Sequence, residues 1–146
     1  MKLYYLLIFI LLFSCQKKIK QDPKDIKKAE MLANNFYNNL INNKTDVVYN
    51  QLDKSVSKIF FASALSGYNE YGKITNIKIY SIETERADSS TLDVKYFIRL
   101  KVTHGKEVTF DALEFTNNRG SIKLLHHGFI PHSNMRPDPD ISESDL

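Results

Sequence analysis

Four histidines carry the side chains best suited to bind a transition metal or to transfer protons near neutral pH: His104, His126, His127 and His132. Their spacing does not favour a metal site. His126 and His127 are adjacent, and adjacent residues on a strand point to opposite faces, so the two rings cannot bind the same ion. The chain has no His-x-His or His-x-x-x-His pair and only one cysteine. We therefore expect surface or turn histidines and no metal site.

The sequence shows no other pattern that predicts catalysis or a cofactor. It contains no Ser, His and Asp in a recognisable catalytic order, no phosphate-binding loop and no glycine-rich nucleotide fingerprint. The 146 residues carry a formal net charge of +3, and the aromatic residues are dispersed, so neither a basic face nor a stacking platform for nucleic acid is expected. A non-catalytic protein without a cofactor is the favoured interpretation.

Cys15, the only cysteine, follows a segment that is typical of protein export. Met1-Lys2 gives a positive start, and Leu3 to Phe13 are eleven consecutive apolar or aromatic residues. Such a run is shorter than the roughly 20 residues that span a bilayer, but it matches the apolar region of a signal peptide. The end of the run, Leu12-Phe13-Ser14-Cys15, resembles the lipobox of bacterial lipoproteins, although Phe13 is bulkier than the usual residue at its position.

The lipobox resemblance implies that residues 1–14 are removed and that Cys15 becomes the acylated first residue of the mature chain, followed by a tether over residues 15–22. A thioether to diacylglycerol would also consume a thiol that is otherwise unpaired in an oxidising compartment. No Asp follows Cys15, so the periplasmic leaflet of the outer membrane is the expected location.

The expected partners follow from this location. They are the membrane, through the lipid anchor, and either an envelope protein or a small apolar ligand. Six lysines lie close to the predicted anchor, and beside a lipid they could touch anionic head groups: Lys17, Lys18, Lys20, Lys24, Lys27 and Lys28. A charge run of this kind is otherwise a solvated surface.

The first half of the mature chain has the periodicity of helices. Asp22-Pro23 offers an N-cap followed by proline at the first helical position. Apolar residues then recur at spacings of three and four, which predicts a one-sided helix of about five turns; they are Ile26, Ala29, Ala33, Phe36 and Leu40. A shorter helix is predicted to be capped by Thr45 or Asp46, and a third to open at Ser55 and stop at Gly67.

From Tyr71 onward the apolar period changes to two, which predicts antiparallel strands. The expected strands are Lys73–Thr84, Leu92–Val102, Lys106–Thr116 and Ser121–Ile130. On the third strand the apolar phase slips between Ala112 and Leu113, which predicts a β-bulge there. The folded domain is thus expected over residues 23–131, and the proline-rich acidic residues 132–146 are expected to be disordered.

This order of elements resembles the cystatin-like superfamily that includes nuclear transport factor 2 and ketosteroid isomerase. The resemblance implies an α+β fold, with helices packed on a curved antiparallel sheet of three to four strands and a cone-shaped pocket between them. In isomerases of this fold a carboxylate inside the cone is the catalytic base, which makes Asp111 a candidate pocket residue. Tyr96 is the second candidate, because it lies on the inward-alternating face of its strand and could donate a hydrogen bond into the pocket. Alternation predicts Phe110 on the core side of its strand, so Asp111 is expected on the solvent side.

Two functions remain at this point. The favoured one is a membrane-anchored envelope lipoprotein whose domain binds a ligand or partner without catalysis. The alternative is a small isomerase or dehydratase that uses the cone. A carboxylate or histidine pointing into an open cone would indicate the enzyme, whereas a filled core with an exposed apolar patch would indicate the binding protein.

Overall fold

The structure, a computed structural model, describes residues 21–86 and 93–134. The predicted signal peptide, the predicted lipidation site Cys15 and most of the predicted tether lie outside the described residues, as do residues 135–146 of the predicted tail. The described ranges form an α+β fold in which three helices pack on one four-stranded antiparallel sheet. Within them, no helix combines the length and apolar character needed to cross a membrane.

Helix α1, Pro23–Ile41, begins and packs as its sequence predicts. The Asp22 carboxylate accepts a hydrogen bond of 2.9 Å from the backbone N–H of Lys24, and Pro23 occupies the first helical position. Four of the five residues of the predicted apolar stripe are buried, together with one further aromatic and one acidic residue; the buried residues are Asp25, Ala29, Ala33, Phe36, Tyr37 and Leu40. The fifth, Ile26, is only half-buried. The predicted buried face of α1 is therefore confirmed.

Helices α2, Thr45–Gln51, and α3, Lys58–Asn69, follow. The predicted side-chain cap of α2 by Thr45 or Asp46 is wrong. The residue at the cap position is Lys44, and its side chain makes no capping hydrogen bond.

The start of α3 also differs from the prediction. Ser57, and not Ser55, caps the helix, with Oγ accepting from the backbone N–H of Phe60. Ser55 is diverted because its N–H and its hydroxyl both donate to Oδ1 of Asp53, at 2.9 and 2.8 Å. The helix continues two residues past Gly67, which has open space around its Cα and is tolerated inside the helix.

Each strand of the sheet pairs with the strand that follows it in sequence, in the order β1-β2-β3-β4. The strands are β1 Asn76–Arg86, β2 Val94–Thr103, β3 Val108–Asn118 and β4 Ser121–Pro131. In β2 every second residue is buried against the helices, as predicted: Val94, Tyr96, Ile98, Leu100 and Val102. The opposite face of β2 carries the charged residues Lys95, Arg99 and Lys101.

The predicted bulge between Ala112 and Leu113 is wrong. Strand β3 pairs with β2 without any register shift over its length. The irregularities lie elsewhere: Tyr80 is the extra residue of β1 relative to β2, and Leu125 is the extra residue of β4 relative to β3.

The burial of Phe110 on the outward face of β3 explains why the apolar pattern of this strand predicted a bulge. Phe110 lies on that face, with its ring centroid 6.3 Å from that of Tyr80 and 6.0 Å from that of His132. It is buried by these outer-face neighbours and not by the helices. An apolar residue can thus be buried on either side of this sheet. For this reason the alternation of apolar residues predicted the wrong face of β3 for Phe110.

The described chain continues beyond the predicted domain end at residue 131. His132–Asn134 form a short 3₁₀ helix, and the hydroxyl of Ser133 donates a hydrogen bond of 2.9 Å to Oε2 of Glu107. These three residues belong to the fold and not to the predicted disordered tail.

Candidate functional site

Asp111 lies at the centre of the helix-facing side of the sheet and is only 1% exposed. The expectation that it faces solvent is therefore wrong. Because β3 runs without a bulge, its inward positions are the odd-numbered ones, which include Thr109 and Asp111 as well as Leu113 and Phe115. Two polar residues thus occupy core positions of the strand and require partners.

Four side chains bind the Asp111 carboxylate, three from other elements of the fold and one from its own strand. The hydroxyls of Tyr37 on α1 and Tyr68 on α3 donate to Oδ2 at 2.6 and 2.7 Å. His127 on β4 brings Nε2 to 3.3 Å from the same oxygen. The hydroxyl of Thr109, two residues away on β3, donates to Oδ1 at 2.6 Å. The carboxylate thus joins two helices to two neighbouring strands.

The surroundings of Asp111 stabilise its ionised form. Burial by itself would raise the pKa of Asp111, but the hydrogen bond and charge of His127, together with the hydroxyls of Thr109 and Tyr37, lower the pKa below its ordinary value of 3.8. Burial, and then the Asp111 charge, raise the pKa of Tyr37 well above 10.0. The same two causes raise the pKa of Tyr68. The two phenols therefore stay protonated and act as donors.

His104 extends the cluster through Thr109. Its Nε2 lies 3.1 Å from the Thr109 hydroxyl oxygen, and its Nδ1 lies 3.2 Å from the carbonyl oxygen of Gly72. Because Thr109 gives its hydrogen to Asp111, its hydroxyl oxygen is free to accept from His104. Gly72 presents its carbonyl from a backbone with φ of +97°, which favours glycine. His104 thus connects Thr109, and through it Asp111, to the backbone at Gly72.

Aromatic rings enclose His127 from several directions. Its ring centroid lies 5.0 Å from Phe36, 5.1 Å from Tyr68 and 5.8 Å from Phe129. In residues 21–86 and 93–134, every buried side-chain nitrogen or oxygen has a hydrogen-bond partner. The cluster is therefore saturated, and an ionised carboxylate with four polar partners is a weak proton acceptor.

Tyr96, the other candidate pocket residue, faces inward as predicted but lies far from Asp111. It is paired with Phe115, whereas Asp111 is paired with Leu100. The four-residue offset corresponds to about 13 Å along the strand. Burial raises the pKa of Tyr96, and the groups around it are Asn117, Asp25 and Arg86. The structure thus does not bring Tyr96 and Asp111 into one site.

The histidines divide into two classes. His126 and His132 are exposed, as predicted. His104 lies at the turn between β2 and β3, as expected, with its backbone N–H donating to the carbonyl oxygen of Glu107, but its ring is buried. The ring of His104 packs on that of Tyr68, with centroids 4.8 Å apart. The expectation of a surface or turn position is wrong for His127, which is buried on β4. His127 is the residue next to His126 on β4, and its side chain therefore points to the opposite, buried face. Within the described ranges, no group of three His, Cys, Asp or Glu side chains could hold a metal ion.

Several members of the cluster could not be identified from spacing. Tyr37 follows Phe36 of the apolar stripe of α1, and the only signal at this position is that a buried tyrosine hydroxyl requires a polar partner. Thr109 and Asp111 lie in the same alternation as Leu113 and Phe115. This alternation is the one sequence signal that predicts both polar residues on the buried face of β3. Tyr68 is 43 residues from Asp111, and no local pattern relates the two.

A second feature is a surface groove between α2 and the start of α3. One part of the groove, of about 610 Å³, is lined by Asp46, Tyr49, Asn50, Lys58, Ile59 and Ala62. A contiguous part of about 520 Å³ includes Lys54, Val56, Asn118, Ser121 and Lys123.

Two large apolar residues at the start of α3, Ile59 and Phe60, are 81% and 79% exposed. We call Lys54, Lys58, Ile59, Phe60 and Lys123 the groove face. Ile59 and the three lysines line the groove, and Phe60 follows Ile59 in the chain.

Comparisons of the chain with protein families, with curated proteins and with solved structures give no match in any of the three. Function is therefore inferred from the chemistry of the side chains.

Proposed function

We propose that this chain is a lipid-anchored protein of the cell envelope whose folded domain binds a partner and does not catalyse a reaction. The anchor is Cys15, exposed as the first residue after removal of residues 1–14, and the expected location is the periplasmic face of the outer membrane. Support for the anchor comes from the eleven-residue apolar run and the lipobox-like Leu12-Phe13-Ser14-Cys15 that ends it.

The observation that carries the non-catalytic part of the proposal is the saturation of Asp111. A general base has to be free to accept a proton from its substrate, and its pKa is best placed near the working pH. Asp111 instead has a lowered pKa and holds two tyrosines, a threonine and a histidine. These contacts stabilise the packing of α1 and α3 on the sheet.

The observation that favours binding is the groove face. Large apolar side chains at about four-fifths exposure, next to a groove of several hundred cubic ångströms, are typical of interaction surfaces. The combination of a filled polar core and an exposed apolar patch is the one expected of a binding protein.

The finer fold assignment belongs to the same proposal. A long first helix, two shorter helices and four sequential antiparallel strands are the order expected of the cystatin-like, nuclear transport factor 2-like superfamily. Under this assignment, the contacts of Tyr37, Tyr68 and His127 with Asp111 would fill the cone of the superfamily.

The second candidate function is a small isomerase or dehydratase. It is favoured by the burial of Asp111 on the helix-facing side of the sheet, beside hydroxyl and imidazole groups of the kinds used in acid–base chemistry. This function would require α1 and α3 to separate, so that a substrate replaces Tyr37 and Tyr68 at the carboxylate.

Fractionation of bacteria that express the full chain tests the proposal. We expect the chain in the membrane fraction, released by detergent and not by high salt, because acyl chains hold it. Cys15→Ala should leave an uncleaved precursor without a lipid. A chain whose size and detergent requirement are unchanged by Cys15→Ala would contradict the proposed anchor.

A further inference from the structure

The exposure of Ile59 and Phe60 follows from the phase of helix α3. The same helix buries Phe61, Leu65 and Tyr68 against the core, which turns its first two apolar residues outward. They protrude side by side in the first turn, directly after the capping Ser57. An aliphatic and an aromatic side chain in this arrangement can enter the boundary between head groups and acyl chains of a bilayer.

Basic residues line the groove beside this apolar pair. Lys54, Lys58 and Lys123 line the groove, against two acidic residues, Asp46 and Asp53. One of these acidic residues is already engaged, since Oδ1 of Asp53 accepts two hydrogen bonds from Ser55. Lysines that flank exposed apolar side chains are complementary to an anionic lipid surface.

The start of α1 lies at one end of the sheet. Its Asp25 carboxylate binds the guanidinium of Arg86, with Nη2 and Oδ2 2.6 Å apart. Arg86 is the last residue of β1, and it pairs with Val94, which pairs in turn with Asn117. The end of the sheet nearest to the predicted anchor is therefore the end that contains the β3–β4 turn.

The groove lies at that same end. Asn118 and Ser121, which line it together with Lys54 and Lys58, pair with each other at the β3–β4 turn. Farther along α3, Tyr68 reaches Asp111 and His104, toward the other end of the sheet. The first turns of α1 and α3 thus point to a common end of the molecule.

The lengths allow the anchor and the groove face to meet one surface. Pro23 lies eight positions after Cys15, and eight extended residues span at most about 29 Å. The two outer strands of a four-stranded sheet, here β1 and β4, lie only about 14 Å apart, which is less than the reach of the tether. Lys24 and Lys27, exposed in the first turns of α1, add positive charge at this end.

We propose that the groove face lies on the anionic surface of the membrane that holds the chain, with Ile59 and Phe60 inserted at the head-group boundary and Lys54, Lys58 and Lys123 against phosphate groups. This inference rests on the proposed function, because the lipid on Cys15 supplies the local concentration of membrane. It names the partner of the groove face as the lipid surface itself.

The test uses the full, lipid-bearing chain with Phe60→Cys, labelled at its one free thiol with an environment-sensitive dye. The chain is reconstituted into vesicles of phosphatidylcholine with or without phosphatidylglycerol, some of which contain nitroxide-labelled lipid as quencher. The matched control is Tyr80→Cys, because Tyr80 is 49% exposed on the outer face of β1, away from the groove.

We expect the dye at position 60 to shift to shorter wavelength and to be quenched several-fold more than the dye at position 80 in the phosphatidylglycerol vesicles. The quenching should fall when Lys54, Lys58 and Lys123 are all changed to Gln, and it should be retained when they are changed to Arg. Unchanged thermal melts would show that these surface variants are folded.

The contradictory outcomes are distinct from one another. Equal quenching at positions 60 and 80 on a lipid-modified chain overturns this inference alone. A wavelength shift at position 60 without quenching by the nitroxide lipid means that a protein or a second copy covers the face, which also overturns it. A second dye on the chain means that Cys15 is unmodified, which overturns the anchor and this inference with it.

Discussion

The hydroxyl of Tyr37 on α1 donates a 2.6 Å hydrogen bond to Oδ2 of Asp111 on β3, a residue 74 positions further along the chain. Tyr68 on α3 donates to the same oxygen. One buried carboxylate therefore fixes the position of both long helices on the sheet. This role is structural, and it makes the stability of the fold depend on Asp111.

Replacement of Asp111 by Ala should lower the free energy of unfolding by about 3–5 kcal/mol, because buried donors lose their charged acceptor. Tyr37→Phe should cost about 1.5–3 kcal/mol, as expected for a hydrogen bond to a charged group. Urea denaturation measures both values. The double variant should cost less than the sum of the two single changes, since both remove the same contact.

The control for Asp111→Ala is Glu30→Ala, which removes an exposed carboxylate from α1 and should change stability by no more than about 0.5 kcal/mol. If Asp111→Ala were as stable as the parent chain, the cluster would not hold the helices. A buried carboxylate retained without benefit to stability would favour the isomerase or dehydratase candidate.

The pKa of Asp111 predicts how stability responds to acid. Its pKa is lowered in the folded state, so its contribution is fully present above the unfolded-state pKa of about 3.9 and is lost as the pH falls through the folded value. The difference in unfolding free energy between the parent chain and Asp111→Asn should therefore shrink below about pH 4. A difference that stays constant across this range would mean that the pKa of Asp111 is not lowered.

The pKa values of Tyr37 and Tyr68 predict how stability responds to alkali. The direction is opposite to that for Asp111, because stability is lost as the pH rises. Because burial and the Asp111 charge raise both pKa values, the stabilisation is complete below the unfolded-state pKa of about 10 and declines as the pH rises above it. Phenolate absorbance should show a late phase of tyrosines that ionise only when the chain unfolds, with Tyr37 and Tyr68 among them. In the Tyr37→Phe/Tyr68→Phe chain the amplitude of this phase should fall by two tyrosines; an unchanged amplitude would assign the phase to other tyrosines, such as the buried Tyr96.

Phe36 tests the packing of α1. It is fully buried and lies against the rings of Tyr37 and His127, so Phe36→Ala should lower the free energy of unfolding by about 3–5 kcal/mol. Met31, which is 47% exposed on the same helix, supplies the control, and Met31→Ala should cost less than about 1 kcal/mol. Equal denaturation midpoints for the two variants would show that the buried face of α1 is placed wrongly.

The sequence predicts most of the fold because period and capping are local signals. The stripe Ala29, Ala33 and Phe36 identified the buried face of α1, and the alternation from Val94 to Val102 identified that of β2. In each case the buried residues are apolar, so hydrophobicity and burial agree.

The candidate site was not predictable in the same way, because on β3 hydrophobicity and burial disagree. Thr109 and Asp111 occupy core positions, while Phe110 is buried on the outer face by Tyr80. The polar residues are tolerated in the core only because Tyr37 and Tyr68 arrive from distant parts of the chain. Such partners come together only through tertiary packing, so the spacing of residues in the sequence does not predict them.

The most direct test of the proposed function is the mass of the N-terminal peptide of the chain isolated from bacterial membranes. We expect a peptide that begins at Cys15 and carries a diacylglycerol thioether, with residues 1–14 absent. A mature N-terminus at any other residue, or an unmodified Cys15, would contradict the proposal that this domain works while anchored to a membrane.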